Sequence, residues 1–241
     1  MVTRHTRNAY TSNTKSDDPS DAPLLIPVVF QGDSIEALRG FPSGVRHDLG
    51  YALHRLQLGQ SPPDRKVVRA AGVGVYELRE QDERAWYRIL YVRRENAIQV
   101  LHCFEKQSNS IEQKDIETAK TRFKGVLEAE REGKPMPRKR SAENEYRVTG
   151  SVLDELGLDR QAALELKLKA ALHQRILQLV KRRGYRARDL ERVLRIQQPR
   201  VSELMRGKVS TLSVARLLLY ADLLGAQAEV KLKAVRSRTA A

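Results

Sequence analysis

The sequence predicts an α+β domain followed by an all-α domain. Three observations carry that reading. Hydrophobic spacing turns from helical to alternating between residues 73 and 106, it is helical again from about residue 160, and a basic, proline-bearing stretch, residues 133–141, separates two helix-like segments.

Residues 1–22 are rich in Thr, Ser, Asn, Asp and Arg without an apolar core, and so read as a flexible polar tail rather than a secretion signal. Residues 26–31 read as a strand, after which Asp33 and Ser34 start a short helix. Val45, Leu49, Ala52, Leu53 and Leu56 fall on one helical face, so residues 42–58 are expected to form an amphipathic helix closed by Gly59, with Pro62 and Pro63 beyond it. Residues 73–80, 85–94 and 97–106 are rich in Val, Ile, Tyr and Trp, and connections as short as residues 81–83 and 94–96 make neighbouring strands antiparallel. Ile116, Ala119, Phe123 and Val126 restore helical spacing through about Arg131. The expected first domain, residues 23–132, is therefore an antiparallel sheet with two N-terminal helices and a C-terminal helix.

Residues 133–150 read as linker, and residues 151–235 as a helical domain before a short tail, 236–241. Leu164, Leu168, Ala171, Leu172, Ile176 and Leu179 form one long stripe ended by Arg183 and Gly184, and shorter helices fit residues 187–194, 198–205 and 213–224. Residues 227–233 alternate apolar with polar and are expected to be a strand that pairs with a second copy or with the first domain's sheet.

Helix 187–194, a three-residue turn and a helix opening Gln198-Pro199-Arg200-Val201-Ser202 have helix-turn-helix proportions. Pro199 suits a first helical turn. Gln197, Gln198, Arg200 and Ser202 are residue types that read base edges, Gln pairing with adenine and Arg with guanine. Arg186, Arg188, Arg206 and Lys208, with Lys181, Arg182 and Arg183 beside them, are the expected phosphate contacts. Charge agrees. The chain holds 44 Lys plus Arg against 30 Asp plus Glu, net +14; residues 142–241 hold 20 cations and 11 acids, or +9, leaving +5 for residues 1–141.

Composition excludes other classes. The longest apolar run, residues 24–30, is far short of the roughly 18 residues needed to span a bilayer, so no membrane span is expected and the location is read as cytoplasmic. Cys103 is alone, and the five His show no ligand-like spacing with it, so neither a disulfide nor a metal site nor any cofactor is expected.

Over about residues 145–233 the chain resembles Xre/HigA-type helix-turn-helix antitoxins, on residues 152–158, 183–185, 196–202 and 204–207 and on the terminal alternating segment. Two positions depart from that pattern: Glu191 stands where a small residue is usual, and Arg195 where the turn carries Gly, at a left-handed position costing roughly 1 kcal/mol. Over about residues 26–131 it resembles the HigB, or phage Gp49-like, branch of the RelE/ParE toxins, on Phe41-Pro42, Leu56-Gln57-Leu58-Gly59, Glu77-Leu78-Arg79, residues 87–91, residues 101–106 and Ala119-Lys120-Thr121-Arg122. Here Lys106 is followed by Gln107, where the branch has a second Lys.

The resemblance implies a metal-independent, ribosome-dependent endoribonuclease acting on mRNA. Such cleavage needs a proton removed from the 2'-hydroxyl, charge stabilised on the phosphorane and a proton given to the 5' oxygen. Arg79, Arg88 and Lys106 are the candidates for holding the phosphate, and His102 and Tyr91 for proton transfer. The alternative for Arg79 and Arg88 is an ion pair with Glu77 or Glu83. Both resemblances in one chain imply a toxin restrained by its own antitoxin, which also binds double-stranded operator DNA as a homodimer. Across a linker spanning roughly 25 Å, the acids Glu143, Glu145, Asp154 and Glu155 are expected to approach the toxin's cations. Two other readings are a dimeric DNA-binding regulator with a catalytically dead toxin-like scaffold, and a ParE-like gyrase inhibitor.

Overall fold

The structure is a computed structural model that describes residues 24–107, 110–132 and 145–229. The chain enters through β1 (Val28–Gln31), turns through Gly32 at φ +57° into α1 (Ser34–Gly40), and continues into α2 (Ser43–Gln57). Helix α2 buries Val45, Leu49, Leu53 and Leu56 and stops at Gly59, whose φ of +74° turns the next N–H, that of Gln60, back to the Arg55 carbonyl at 2.9 Å. A short β2 (Lys66–Val67) precedes the meander β3 (Val75–Gln81), β4 (Trp86–Arg93) and β5 (Ile98–Lys106), and α3 (Gln113–Arg131) follows.

The meander is antiparallel as expected, but the sheet as a whole is mixed: β1 inserts beside β5 in parallel, with Val28 opposite Ile98. Two helices lie between β1 and the meander, long enough to make a crossover that returns the chain in the same direction.

A larger departure concerns residues 145–148, which the sequence places in the linker. They form β6 (Glu145–Val148), antiparallel to β1, and complete a six-stranded sheet in the order β2-β3-β4-β5-β1-β6. The pairing is reinforced sideways, since the Gln31 amide donates to Gln99 at 3.0 Å and to Glu145 at 2.9 Å. β6 leads through a 3-10 turn, Val152–Asp154, into α4 (Arg160–Arg182), α5 (Ala187–Leu194), α6 (Gln198–Arg206) and α7 (Val214–Leu223). Residues 227–229 have no regular structure, and the rest of the expected terminal strand lies outside the described residues.

Three apolar clusters follow. The helical half has its own around Ile176, Leu190, Leu204 and Leu217. Helix α3 closes one face of the sheet with Ala119, Phe123 and Val126 against Leu90 and Phe104. On the other face, α1 and α2 cover Leu78, Ile89 and Tyr91, and this cluster runs on without a break into Val148, Val152, Leu153, Leu156, Leu166 and Val209 of the helical half. Among the described residues no helix is long and apolar enough to cross a membrane.

Candidate functional site

Glu77, Arg79, Arg88, His102 and Lys106 all project to the face that α3 covers, because Arg79 lies opposite Arg88, Arg88 opposite Phe104 and Leu90 opposite His102. The strands thus gather the expected cations on one face, but not into an open pocket. Only Arg79 is exposed. Arg88 is 2% exposed and its Nη1 donates to Glu77 Oε2 at 2.7 Å, a carboxylate itself fully buried. Lys106 is 6% exposed; its ammonium donates to the Ser110 carbonyl and stands 3.2 Å from Glu112 Oε1. Arg88 and Lys106 are therefore interior charges neutralised by acids of the same half, where the sequence places them as open phosphate contacts.

His102 sits at an irregularity in the β4–β5 ladder, where Leu90 pairs with His102, Tyr91 with Val100, and Leu101 bulges out. The bulged Leu101 carbonyl accepts from Arg122 Nη1 at 3.0 Å. The same guanidinium bonds Asp33 at 2.6 Å and Ser34 at 3.2 Å, and lies 3.4 Å from His102 Nδ1. His102 Nε2 donates to Asp115 at 3.1 Å, and the ring stacks on Phe104. Burial is the main cause that lowers the His102 pKa, and the Asp115 contact opposes it. Asp33, Ser34, Asp115 and Arg122 are polar partners that sequence reasoning did not assign. Arg122 was visible only as the end of the Ala119–Arg122 motif, and nothing in spacing joins it to residue 33.

Tyr91 is on the opposite face, buried in the α2-side core and stacked on Tyr76 at 5.9 Å. Burial pushes its phenol up to about 12. It is a packing residue there and does not share a site with His102.

In the helical half, α5 ends on Arg195 at φ 54°, the left-handed position expected for the turn and the only such non-glycine among the described residues. Glu191 is half-exposed, so its carboxylate is not stranded. Gln197, Gln198 and Arg200 are exposed at the start of α6, Ser202 is half-exposed, and Arg186 and Arg188 are exposed beside them. Val201 and Leu204 turn inward to hold α6 on the domain. The far end of α6 differs. Arg206 Nε lies 3.4 Å from Asp64, and Lys208 donates to the buried Glu80, both acids of the first half. Lys208 is thereby a joint residue in place of the phosphate contact expected of it.

The joint has further polar fastenings. Tyr51 of α2 donates to His173 Nδ1 at 2.6 Å, and His173 Nε2 donates to the Leu204 carbonyl at 2.6 Å, linking the first half to the recognition helix through a fully buried imidazole. A carbonyl only accepts, so Nε2 carries the proton and Nδ1 accepts. Burial drops the His173 pKa to about 4. The Asp48 carboxylate accepts from the Ser210 N–H at 2.8 Å and hydroxyl at 2.6 Å, and burial lifts it to about 6. Arg46 donates to the Leu156 and Gly157 carbonyls. Of the acids expected to approach the toxin's cations, Glu155 does meet one, Arg39 of α1, though none reaches Arg79, Arg88 or Lys106: Glu145 goes to Gln31 and Asp154 to Lys167, while Glu143 lies outside the described residues.

Two family models match the chain. Residues 36–124 match the phage-derived protein Gp49-like family, and residues 152–233 match a helix-turn-helix domain. Strands β1 and β6, which pair across the joint, lie outside both matched stretches. No curated protein and no solved structure matches the chain.

Proposed function

We propose that this chain, a Gp49-like, toxin-like domain joined to a helix-turn-helix domain, is a self-contained toxin–antitoxin protein in a resting state. In this reading two copies bind double-stranded operator DNA and silence their own transcription in the cytoplasm. The Gp49-like half cleaves translated mRNA only when the joint loosens and the pairs Arg88–Glu77 and Lys106–Glu112, which lie within that half, open as well.

The observation that supports it is an asymmetry of charge. The base-reading residues Gln197, Gln198 and Arg200 stand open to solvent while Arg88 and Lys106 are matched by Glu77 and Glu112. DNA binding is then available while RNA binding is not. Helix α6 enters the major groove N-terminus first, with Gln197 and Gln198 on adenines, Arg200 on guanine, Ser202 adapting, and Arg186 and Arg188 on phosphates. In a loosened Gp49-like half, Arg79 holds the scissile phosphate, and His102, freed of Asp115, takes the 2'-hydroxyl proton as that oxygen attacks phosphorus. The 5' oxygen leaves with a proton, and a 2',3'-cyclic phosphate remains. No metal or cofactor takes part in these steps.

The test uses the full chain and the variant Glu112→Gln/Leu153→Ala/Leu156→Ala, which loosens the joint from the helical side and frees Lys106 of its acid. The parent is expected to bind duplex DNA and leave mRNA on translating ribosomes intact. The variant is expected to cut it and to arrest growth. A second reading, a DNA-binding regulator with the Gp49-like half as scaffold, draws on the sealed Arg88–Glu77 pair. A variant that stays folded, binds DNA and cuts nothing establishes that second reading in place of the first.

A further inference from the structure

Around the axis of α6, at 100° per residue, Val201 and Leu204 mark the buried side, and Pro199, Ser202 and Arg206 lie opposite them. Arg206 is therefore on the outward line of the helix, one turn beyond Ser202, on the side that faces a groove. That same Arg206 touches Asp64 of the Gp49-like half at 3.4 Å. A segment of the first half thus abuts the DNA-facing side of the recognition helix. It either obstructs the duplex or joins in holding it.

Its chemistry decides between the two. Residues 61–69 carry one acid, Asp64, already committed to Arg206, against Arg65, Lys66 and Arg69, all exposed. Pro62 and Pro63 stiffen the approach, and β2 pins Lys66 opposite Glu77 and Val67 opposite Tyr76, so Lys66 leaves the sheet on the α3 face, away from α6, while Arg65 stays on the α2 face. Arg65 lies over the Tyr76 ring at 5.0 Å and bonds Ser61 at 2.7 Å, so its guanidinium is held in place. From Asp64 to Arg69 the chain spans at most about 17 Å, the length of several successive phosphates on one strand.

Resting on the reading that the helical half binds duplex DNA, we propose that residues 61–69 of the Gp49-like half form a second DNA-contact ridge, in which Arg65 and Arg69 hold the phosphates flanking the groove that α6 enters. The toxin-like half then serves as part of the DNA-binding surface, and operator affinity senses whether the two halves are docked.

The measurement is the affinity of the full chain for a 40-base-pair duplex, taken from just upstream of its own coding sequence, as a function of salt. Each phosphate contact removed lowers the slope of log affinity against log salt by about 1. Arg65→Gln/Arg69→Gln is expected to lower it by about 2. Arg69→Gln, which spares the Arg65 contacts with Tyr76 and Ser61, is expected to lower it by about 1, equally on a mixed-sequence duplex, and Lys66→Gln, on the other face, to leave it unchanged. Gln198→Ala is expected to lose sequence preference with the slope intact. If the parent binds with a steep slope and the double variant keeps it, or binds more tightly, the ridge is no DNA contact and this proposal alone falls. Unchanged duplex binding with lost binding to ribosomes assigns the ridge to RNA and also overturns it. A parent that binds no duplex overturns the DNA-binding reading as well.

Discussion

On the α3 side of the sheet, the interior holds Arg88, Glu77, Lys106 and His102 among Leu90, Phe104 and Phe123. On the α2 side it holds Leu78, Ile89, Tyr91, Leu153 and Leu156, crosses between the halves, and buries polar groups of its own, Asp48, Gln57, Glu80 and His173, each bonded across the joint. The first face is closed by matched charge within one half, the second by apolar contact and hydrogen bonds between two halves. That difference separates what sets the chemistry of the Gp49-like half from what holds the molecule together. Transfer of apolar surface is non-directional and tolerates substitution, whereas a buried charge depends on the partners that compensate it.

The largest effect expected of a single change follows from that contrast. Glu77→Ala leaves Arg88 buried without its carboxylate and should cost about 3–5 kcal/mol. Removing both charges, Glu77→Leu/Arg88→Met, should restore the parent stability or exceed it by about 1–4 kcal/mol. Denaturant unfolding of both variants checks this. A single variant within about 1 kcal/mol of the parent would mean that the pair is solvated and the α3 face open, and the contrast between the faces would go with it.

Two titratable groups of the joint face shift in opposite senses for stability. His173, lowered to about 4, is neutral in the fold and charged when unfolded below pH 6.5, so its contribution is present above 6.5 and lost as pH falls toward 4. Asp48, lifted to about 6 from 3.8, prefers its protonated form in the fold, so its contribution is present below 4 and lost as pH rises through 6. Each is about 3 kcal/mol at about 1.4 kcal/mol per unit, and in the parent they largely offset each other. Compared with the parent between pH 7 and pH 4, His173→Gln should lose less stability and Asp48→Asn more, by about that amount. Equal pH profiles for the two variants would show that water reaches the joint.

Close approach at the joint gives a smaller effect. A Cβ at Gly50 of α2 would stand 2.3 Å from Leu156 Cδ1 and 2.9 Å from Cδ2, and Leu156 is fully buried. Gly50→Ala gains up to about 1 kcal/mol of helix propensity and loses about 1–3 to overpacking, for a net loss of about 1 kcal/mol. Thermal unfolding reads that shift. A stabilised variant would mean that the helical half yields easily here and that the joint is looser than the α3 face.

What was legible in the sequence was whatever repeats locally. Val45, Leu49, Leu53 and Leu56 gave α2, the short connections gave the antiparallel meander, and Pro199 with Gly207 bracketed α6. What was not legible depends on partners far apart in the chain. β1 beside β5, β6 beside β1, and Tyr51 beside His173 leave no periodicity to read. Of the candidate site, strand alternation put His102 and Lys106 on one face correctly. Alternation cannot say whether a cation on that face meets solvent or an acid, and Glu77 and Glu112 supply the acids. Tyr91 was misplaced although alternation within β4 already sets it, three residues from Arg88, on the other side of the pleat.

A site outside both faces asks whether the joint makes the halves one cooperative unit. Arg195 holds φ 54° in the turn between α5 and α6, and the helical half has an apolar cluster of its own behind that turn. A side chain in that conformation costs roughly 1–2 kcal/mol, and glycine gives back part of the gain through its freedom in the unfolded chain. Arg195→Gly should therefore stabilise by about 0.5–1 kcal/mol. Because the α2-side core runs unbroken from Leu78 to Val209, that gain should move one unfolding transition, reported alike by the helix signal and by the fluorescence of Trp86 in β4. If the helix signal alone shifts while Trp86 keeps its midpoint, the helical half melts by itself, and apolar contact across the joint is weaker than the matched charges of the α3 face.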